Sequence, residues 1–286
     1  MSTSPVVLIT GASSGFGRLI ALALAQDGYV VFGAFRGSRG GFDTQAEALI
    51  GEPGGSDGRI NAVRMDVTDD DSVTSAVAEV INRAGRVDVL INSAGYGLLG
   101  PMECTEIAQT QRLYDTNVFG TMRVCRAVVP HMRSQGSGRI LNFGSDVGLR
   151  ANFFQASYAG SKSAVDSLSQ VMRLELAPFG VDVSLISPGW YDTEFGDSVV
   201  TTFESTAAAP DYADLIAAWN RGVENVEGAN DHPDEVAQLV RQVLNEPQPR
   251  FRNAVGWNLD RMGAVVEDEI DRYQAALVRY YALERR

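Results

Sequence analysis

The 286-residue chain has 45% hydrophobic and 21% charged residues, ordinary values for a globular protein long enough to bury one large core. Its formal net charge of -12 argues against nucleic acid or an anionic membrane as partner, so any bound phosphate must be held by local groups and not by the overall field. Two cysteines, Cys104 and Cys125, are too few for a disulfide framework and lack zinc-ligand spacing, and no metal site is expected.

The first residues carry no basic region ahead of a long apolar core, and no run approaches about eighteen apolar residues, so the expectation is a soluble, cytoplasmic protein. Short aliphatic or β-branched runs lie at residues 6–9, 30–34, 60–65, 87–91, 139–143 and 181–186. Helical stretches near 17–27, 44–49, 70–83, 107–133 and 158–177 alternate with them. Nearly continuous apolar strands separated by helices predict an α/β fold, a parallel sheet covered on both faces.

The first strand runs into Thr10-Gly11-Ala12-Ser13-Ser14-Gly15-Phe16-Gly17, and a helix follows. Glycines at a strand-to-helix turn permit tight backbone geometry and let a pyrophosphate approach the helix N-terminus. The spacing G-x-x-x-G-x-G is neither the G-x-G-x-x-G dinucleotide fingerprint nor a P-loop. Gly11, Ser13, Ser14, Gly15, Phe16 and Gly17 are therefore candidate cofactor contacts. The second strand ends at Arg36. An acid there would hold ribose hydroxyls, whereas an arginine suits a 2′-phosphate. Residues 30–41 contain no acid but include Arg36 and Arg39, which favours NADP over NAD; the alternative is that both are solvated loop charges. Asp66, after the third strand, is placed either to accept from an adenine amino group or to shape the turn into the next helix. Thr68-Asp69-Asp70-Asp71 before Val73 reads as a helix N-cap and not as a metal cluster.

The richest stretch is 142–162, with Ser145 followed by Tyr158-Ala159-Gly160-Ser161-Lys162. Residues four apart share a helical face. An ammonium held there favours a phenolate and is expected to pull Tyr158 below its free pKa of about 10. Such a tyrosine can exchange a proton with a hydroxyl or carbonyl oxygen, and Ser145 can hydrogen-bond the same oxygen. After Pro188 the alternation breaks. Residues 190–230 hold Trp190, Tyr191, Phe195, Phe203, Tyr212 and Trp219 and are expected to form a substrate lid. Segments 96–99, 147–154 and 190–219 should ring the reacting centre with mostly apolar side chains, favouring a bulky, weakly polar ketone or alcohol. A helix over 233–244, a last strand over 251–255 and an apolar stripe at Val266, Ile270, Tyr273, Leu277 and Tyr280 follow, the last giving a C-terminal helical extension over 260–286. His131 and His232 lie outside these segments and are not expected to be catalysts.

With these pieces in order, the sequence resembles the short-chain dehydrogenase/reductase family, strongly over residues 6–193 and loosely beyond. Thr10-Gly11-x-x-x-Gly15-x-Gly17 resembles the family's cofactor turn, and Asp66-Val67 its adenine site. Asn92-Ser93-Ala94-Gly95 resembles its Asn-Asn-Ala-Gly, so Asn92, Ala94 and Gly95 are cofactor candidates, with Ser93 a departure. Asn117, Ser145 and the pair Tyr158 and Lys162 match the family's catalytic positions, and Pro188-Gly189 through Thr193 the segment that holds the carboxamide. The resemblance implies one doubly wound Rossmann-type domain over 1–286 and a tetrad of Asn117, Ser145, Tyr158 and Lys162. In that tetrad Tyr158 moves the proton and Lys162 also holds the nicotinamide ribose. Ser145 orients the substrate oxygen. Asn117 holds a water through a local irregularity in its helix. The length, Phe35-Arg36 and the strand after Pro247-Gln248-Pro249 resemble the 17β-hydroxysteroid and retinol dehydrogenase branch. Ser14 stands where many NADP-dependent members carry a basic residue. The implied function is an NADP-dependent short-chain alcohol dehydrogenase or carbonyl reductase for a small-molecule carbonyl or alcohol substrate. It is expected as a homodimer or homotetramer built on the long central helices. An epimerase or dehydratase on the same framework, or a non-catalytic dinucleotide-binding regulator, are the alternatives.

Overall fold

A computed structural model of the protein describes residues 4–37, 41–52, 58–149, 152–189, 191, 196, 199–203, 209–224 and 232–256. Arg39, Trp190, Thr193, Phe195 and the stripe expected over 264–284 lie outside the described residues. In chain order the elements are β1 (Val6–Thr10), α1 (Gly15–Gln26), β2 (Val30–Phe35), α2 (Phe42–Ile50), β3 (Ile60–Arg64), α3 (Asp70–Ala84) and β4 (Val89–Asn92). Then come β5 (Leu98–Leu99), α4 (Ile107–Tyr114), α5 (Thr121–Gln135), β6 (Gly138–Phe143), α6 (Ala156–Leu176) and β7 (Val181–Pro188). The remainder is β8 (Val200–Thr201), α7 (Ala213–Glu224), α8 (Asp234–Asn245) and β9 (Arg252–Val255).

Seven strands form one parallel sheet in the order β3-β2-β1-β4-β6-β7-β9, the doubly wound arrangement the alternation predicts. Period-two side-chain alternation divides each strand between two cores. Val7 and Ile9 of β1 pack with Ile20 and Leu24 of α1 and with Val236 and Val240 of α8. Val6 and Leu8 pack on the other face with Val73, Val77 and Val80 of α3 and with Val124, Val128 and Met132 of α5. The connection reverses direction between β1 and β4, and such a switch point opens a crevice at the carboxyl ends of the strands. Arg36, Asp66, Asn92, Ala94, Gly95, Ser145 and Gly189 sit at or within three residues beyond those ends. The N-cap expected before Val73 is Asp69, whose Oδ1 accepts from the Ser72 backbone N–H at 2.9 Å.

The helix expected over 107–133 is α4 and α5 joined by a π-helical turn, Asp115–Gly120, the local irregularity expected at Asn117. One feature departs from the sequence reading. A second, two-stranded parallel sheet pairs Leu98 with Val200 and Leu99 with Thr201. Among the described residues no helix is long and apolar enough to cross a membrane.

At the last strand, Arg252 is 4% exposed and makes a forked bond to Asp166 of α6, Nε to Oδ2 at 3.0 Å and Nη2 to Oδ1 at 2.6 Å. Asp166 also accepts from Gln170 Nε2 at 2.7 Å. Breaking one partner of such a buried pair leaves an uncompensated charge, whereas replacing both by apolar groups need not. Arg252→Met is expected to lower unfolding free energy by about 3–5 kcal/mol, and Arg252→Met with Asp166→Leu to recover most of it, measured by urea denaturation.

Candidate active site

The turn between β1 and α1 is shaped by its glycines. Gly11 has φ +70, and a Cβ there would lie 2.9 Å from Ala94 Cα. A Cβ on Gly17 would lie 2.4 Å from the Gly11 carbonyl oxygen. Thr10 Oγ1 accepts from the backbone N–H of Ser93 at 3.2 Å and of Ala94 at 3.1 Å, clamping the turn to the segment after β4. Gly15 differs: its φ is +51, and a Cβ there would meet nothing within 4 Å, so the chain opens at this point. Ser13 lies half-buried in the turn, and Ser14, the residue before α1, makes no side-chain cap bond. The first turn of α1 holds no acid. An open cradle at a helix N-terminus without carboxylates fits a pyrophosphate. The Phe16 ring stacks on Phe143 at 6.1 Å and meets Tyr191 edge-on at 5.7 Å, closing the floor beneath this opening.

Beyond β2, Arg36 is exposed. Burial pushes the Tyr96 phenol up, and the positive charges of Arg112 and Arg36 pull it back, so Arg36 lies within electrostatic range of Tyr96. Asp66 Oδ1 accepts from the backbone N–H of Thr68 at 2.9 Å and from its hydroxyl at 2.7 Å. One carboxylate oxygen of Asp66 thus serves the turn into α3. Val67 is buried against Gly120 of the π-helical turn, where a Cβ would lie 2.8 Å from Val67 Cγ2. Arg123 holds this corner: it donates to the Val67 carbonyl at 3.2 Å and pairs with Asp115 at 2.8 Å and Asp70 at 3.5 Å.

At the other end of the crevice, Asn117, Ser145, Tyr158 and Lys162 come together from the π-helical turn, the end of β6 and the start of α6. Asn117 is buried; its Oδ1 accepts from Tyr96 N at 3.1 Å, and its Nδ2 donates to the Tyr96 carbonyl at 3.0 Å and to Ser161 Oγ at 3.2 Å. Its own carbonyl accepts from Thr121 Oγ1 at 2.9 Å. The extra residue of the π-turn aims this side chain back at β4, a common use of such bulges. A Cβ on Gly95 would lie 3.1 Å from Asn117 Oδ1 and 3.9 Å from Lys162 Nζ, so the strand end, the π-turn and the lysine converge there. Lys162 is 7% exposed and donates to the Phe143 carbonyl at 2.9 Å. Ser145 Oγ donates to Asp146 Oδ1 at 3.1 Å and is hydrogen-bonded to the Tyr158 phenol. Pro188 ends β7, and Gly189 N–H donates to the Val255 carbonyl at 2.8 Å, which fixes the next turn against β9.

The titration of this group runs opposite to the sequence expectation. Burial pushes Tyr158 up, with the Ser145 hydrogen bond pulling it partly back, and burial lowers Lys162 to about 8. The reason is geometric. The lysine is turned toward the Phe143 carbonyl and lies 5.7 Å from the centre of the tyrosine ring, so desolvation outweighs the charge it offers the hydroxyl.

Asn92 is 4% exposed, and its Nδ2 donates to Asn142 Oδ1 at 2.8 Å and to Cys125 Sγ at 3.3 Å. Asn142 Nδ2 donates to Ser169 Oγ at 2.8 Å, and that hydroxyl to the Val165 carbonyl at 2.7 Å. The sequence reading gives Asn142 and Ser169 no role, although a lone asparagine inside an apolar strand run was a usable signal for a buried polar chain.

A doubly wound sheet with a glycine turn at its switch point and a Ser-Tyr-Lys cluster across the crevice defines a dinucleotide-binding enzyme. The sequence matches the short chain dehydrogenase family over residues 5–203, and the chain belongs to that family, whose members are NAD(P)-dependent oxidoreductases. A 3-ketodihydrosphingosine reductase of Bacteroides thetaiotaomicron is 34% identical over 251 residues, 88% of this chain and 87% of that protein. Human 17-beta-hydroxysteroid dehydrogenase type 1 is 35% identical over 255 residues, 86% of this chain and 76% of that protein. Among solved structures, an actinorhodin polyketide ketoreductase with NADPH superimposes with a TM-score of 0.75 at 30% identity, covering 91% of this chain and all of that one.

A base whose folded pKa lies below its unfolded value costs stability while it is charged. Below about pH 8 Lys162 is protonated in both folded and unfolded chains and the cost is complete. Between about 8 and 10.5 the folded chain sheds the proton first and the cost fades. Lys162→Met is therefore expected to be more stable than the parent at pH 7 by on the order of 3 kcal/mol, with the gain shrinking as pH rises through 8 toward 10.5, read from thermal or urea denaturation at the two extremes.

Proposed function

We propose that the protein is an NADP-dependent carbonyl reductase or alcohol dehydrogenase, in which Tyr158 exchanges the proton at the oxygen of a bulky, largely apolar ketone or aldehyde. The observation that carries this reading is the meeting of Ser145, Tyr158 and Lys162 at the end of the crevice opposite the open turn at Gly15. The nicotinamide, when bound, supplies or takes the hydride at the substrate carbon.

The chain's own groups do the rest. Ser145 offers its hydroxyl to the substrate oxygen as negative charge gathers there. Tyr158, a phenol that carries its proton at neutral pH, gives it to that oxygen in the reductive direction. Lys162 holds ribose hydroxyls and a positive charge beside the tyrosine. Asn117 fixes the backbone at Tyr96 and so the segment from Asn92 to Gly95. Gly11 to Gly17 cradle the pyrophosphate, Asp66 and Val67 flank the adenine, and Pro188 to Thr193 hold the carboxamide. Arg36 selects the 2′-phosphate; the polyketide ketoreductase solved with NADPH supports that choice. The sphingosine-base and steroid names of the two curated relatives support an apolar substrate. One catalytic domain spans residues 1–286, with 190–230 as its substrate lid and 260–286 as a C-terminal extension. It works as a homodimer or homotetramer packed on α4, α5 and α6.

Two substitutions test this reading. Tyr158→Phe is expected to bind NADPH with unchanged fluorescence enhancement and to lose about 10²–10⁴-fold in kcat, the range for a general acid; retained turnover would end the proposed mechanism. Arg36→Glu is expected to move the NADPH:NADH ratio of kcat/KM toward NADH by roughly tenfold or more, in line with about 1.5–3 kcal/mol for a charge-assisted hydrogen bond.

A further inference from the structure

We propose that Phe154 is a specificity-determining residue: with Phe203 and Trp219 it forms an aromatic wall that receives the apolar body of the substrate. The inference rests on the oxidoreductase reading above and assigns the part of the chain that chooses among carbonyl compounds.

The starting observation is backbone strain. Phe154 has φ +62, the one non-glycine residue with positive φ among those described. A bulky L side chain seldom adopts that conformation, and it persists only where surrounding structure holds it. Here the holding contact is its carbonyl, which accepts from the Gly100 N–H at 2.8 Å. Gly100 is itself a close approach: a Cβ there would fall 1.7 Å from Thr202 Oγ1. Thr202 is completely buried, its N–H donates to the Leu99 carbonyl at 2.8 Å, and Val200 N–H donates to the Gly97 carbonyl at 2.9 Å. The two-stranded sheet of β5 and β8 is therefore the base on which the turn before α6 is fastened.

That fastening places three rings together from separate stretches of chain. Phe154 meets Phe203 edge-on at 5.4 Å and Trp219 of α7 edge-on at 5.8 Å, and Phe203 lies 5.9 Å from Trp219. All three residues are only partly buried, so the cluster keeps apolar surface open to solvent. Phe153, 59% exposed, continues the apolar surface at 6.2 Å from Phe154. A core cluster would be closed to solvent; this one is not. It stands two residues before the start of α6 and four before Tyr158, at the carboxyl ends of the strands where open α/β sheets take their ligands. Rigid aromatic surface with few polar groups suits a flat polycyclic or long-chain body whose carbonyl reaches Tyr158.

The test compares the parent protein, Phe154→Gly and Trp219→Leu by NADPH oxidation with a 17-ketosteroid and with cyclohexanone. Glycine relieves the left-handed backbone while removing the ring, and NADPH affinity reports whether each variant is folded. The expected result is a fall of about tenfold or more in the steroid:cyclohexanone ratio of kcat/KM in both variants, carried by KM for the steroid, within the range by which apolar pockets discriminate. An unchanged ratio in both overturns the proposal. If Phe154→Gly does not fold, Trp219→Leu, on a separate helix, decides alone. If the parent oxidises no NADPH with either ketone, the oxidoreductase reading fails. Equilibrium dialysis of the steroid then still decides on the wall: weaker binding in the variants sustains it, and equal binding removes it.

Discussion

The ammonium of Lys162, buried between α6 and the end of β6 and bonded to the Phe143 carbonyl, is the contact on which the site depends. A charge in that position has to be hydrogen-bonded, so the helix cannot slide or turn without stranding it. Neighbouring residues repeat the coupling. Asn142 reaches Ser169 two turns below the lysine, and Ser145 reaches Tyr158 one turn above it. Three residues at one strand end thus set the axial position of one helix. Hydrogen bonds made by buried groups are expensive to leave unmade, and this converts sheet geometry into placement of the tyrosine hydroxyl.

The same burial explains why the tyrosine and lysine titrate away from each other's assistance. Desolvation disfavours whichever form is charged, raising the phenol and lowering the ammonium. A pair that attracted strongly would have moved the opposite way. That placement sets both groups where burial penalises the ionised form of each. It comes at the expense of stability, which is common where a functional group is held in apolar surroundings.

Most of the architecture was legible because its signals are local. Apolar runs alternating with helical stretches specify a parallel sheet, and the glycine spacing after β1 specifies a turn that only glycine can make at Gly11 and Gly17. Asp69 was readable as a cap from its place before Val73. What escaped depends on contacts between distant parts of the chain. Leu98-Leu99 and Val200-Thr201 are too short to announce strands, and each becomes one only by pairing with the other, about a hundred residues away. Phe154 carries no sequence mark of a left-handed residue, since the Gly100 N–H that holds it lies in another loop. The pKa reversal escaped for a related reason: spacing puts Tyr158 and Lys162 on one helical face, but the Phe143 carbonyl decides where the ammonium points.

A chain with net charge -12 repels anions at long range, so the groups that would hold a dinucleotide must act over a few ångströms. Their distribution fits that constraint. The first turn of α1 is free of acids, and the carboxylates between β3 and α3 and in the π-helical turn have contacts of their own. Asp66 is folded into the Thr68 turn, Asp69 caps α3, and Asp70 and Asp115 are paired with Arg123. Arg36 is left exposed one residue beyond β2. Tying local carboxylates into turn, cap and ion-pair contacts, and not lowering the overall charge, is how an acidic fold can present an anion site, and Arg123 is the group that holds two of them.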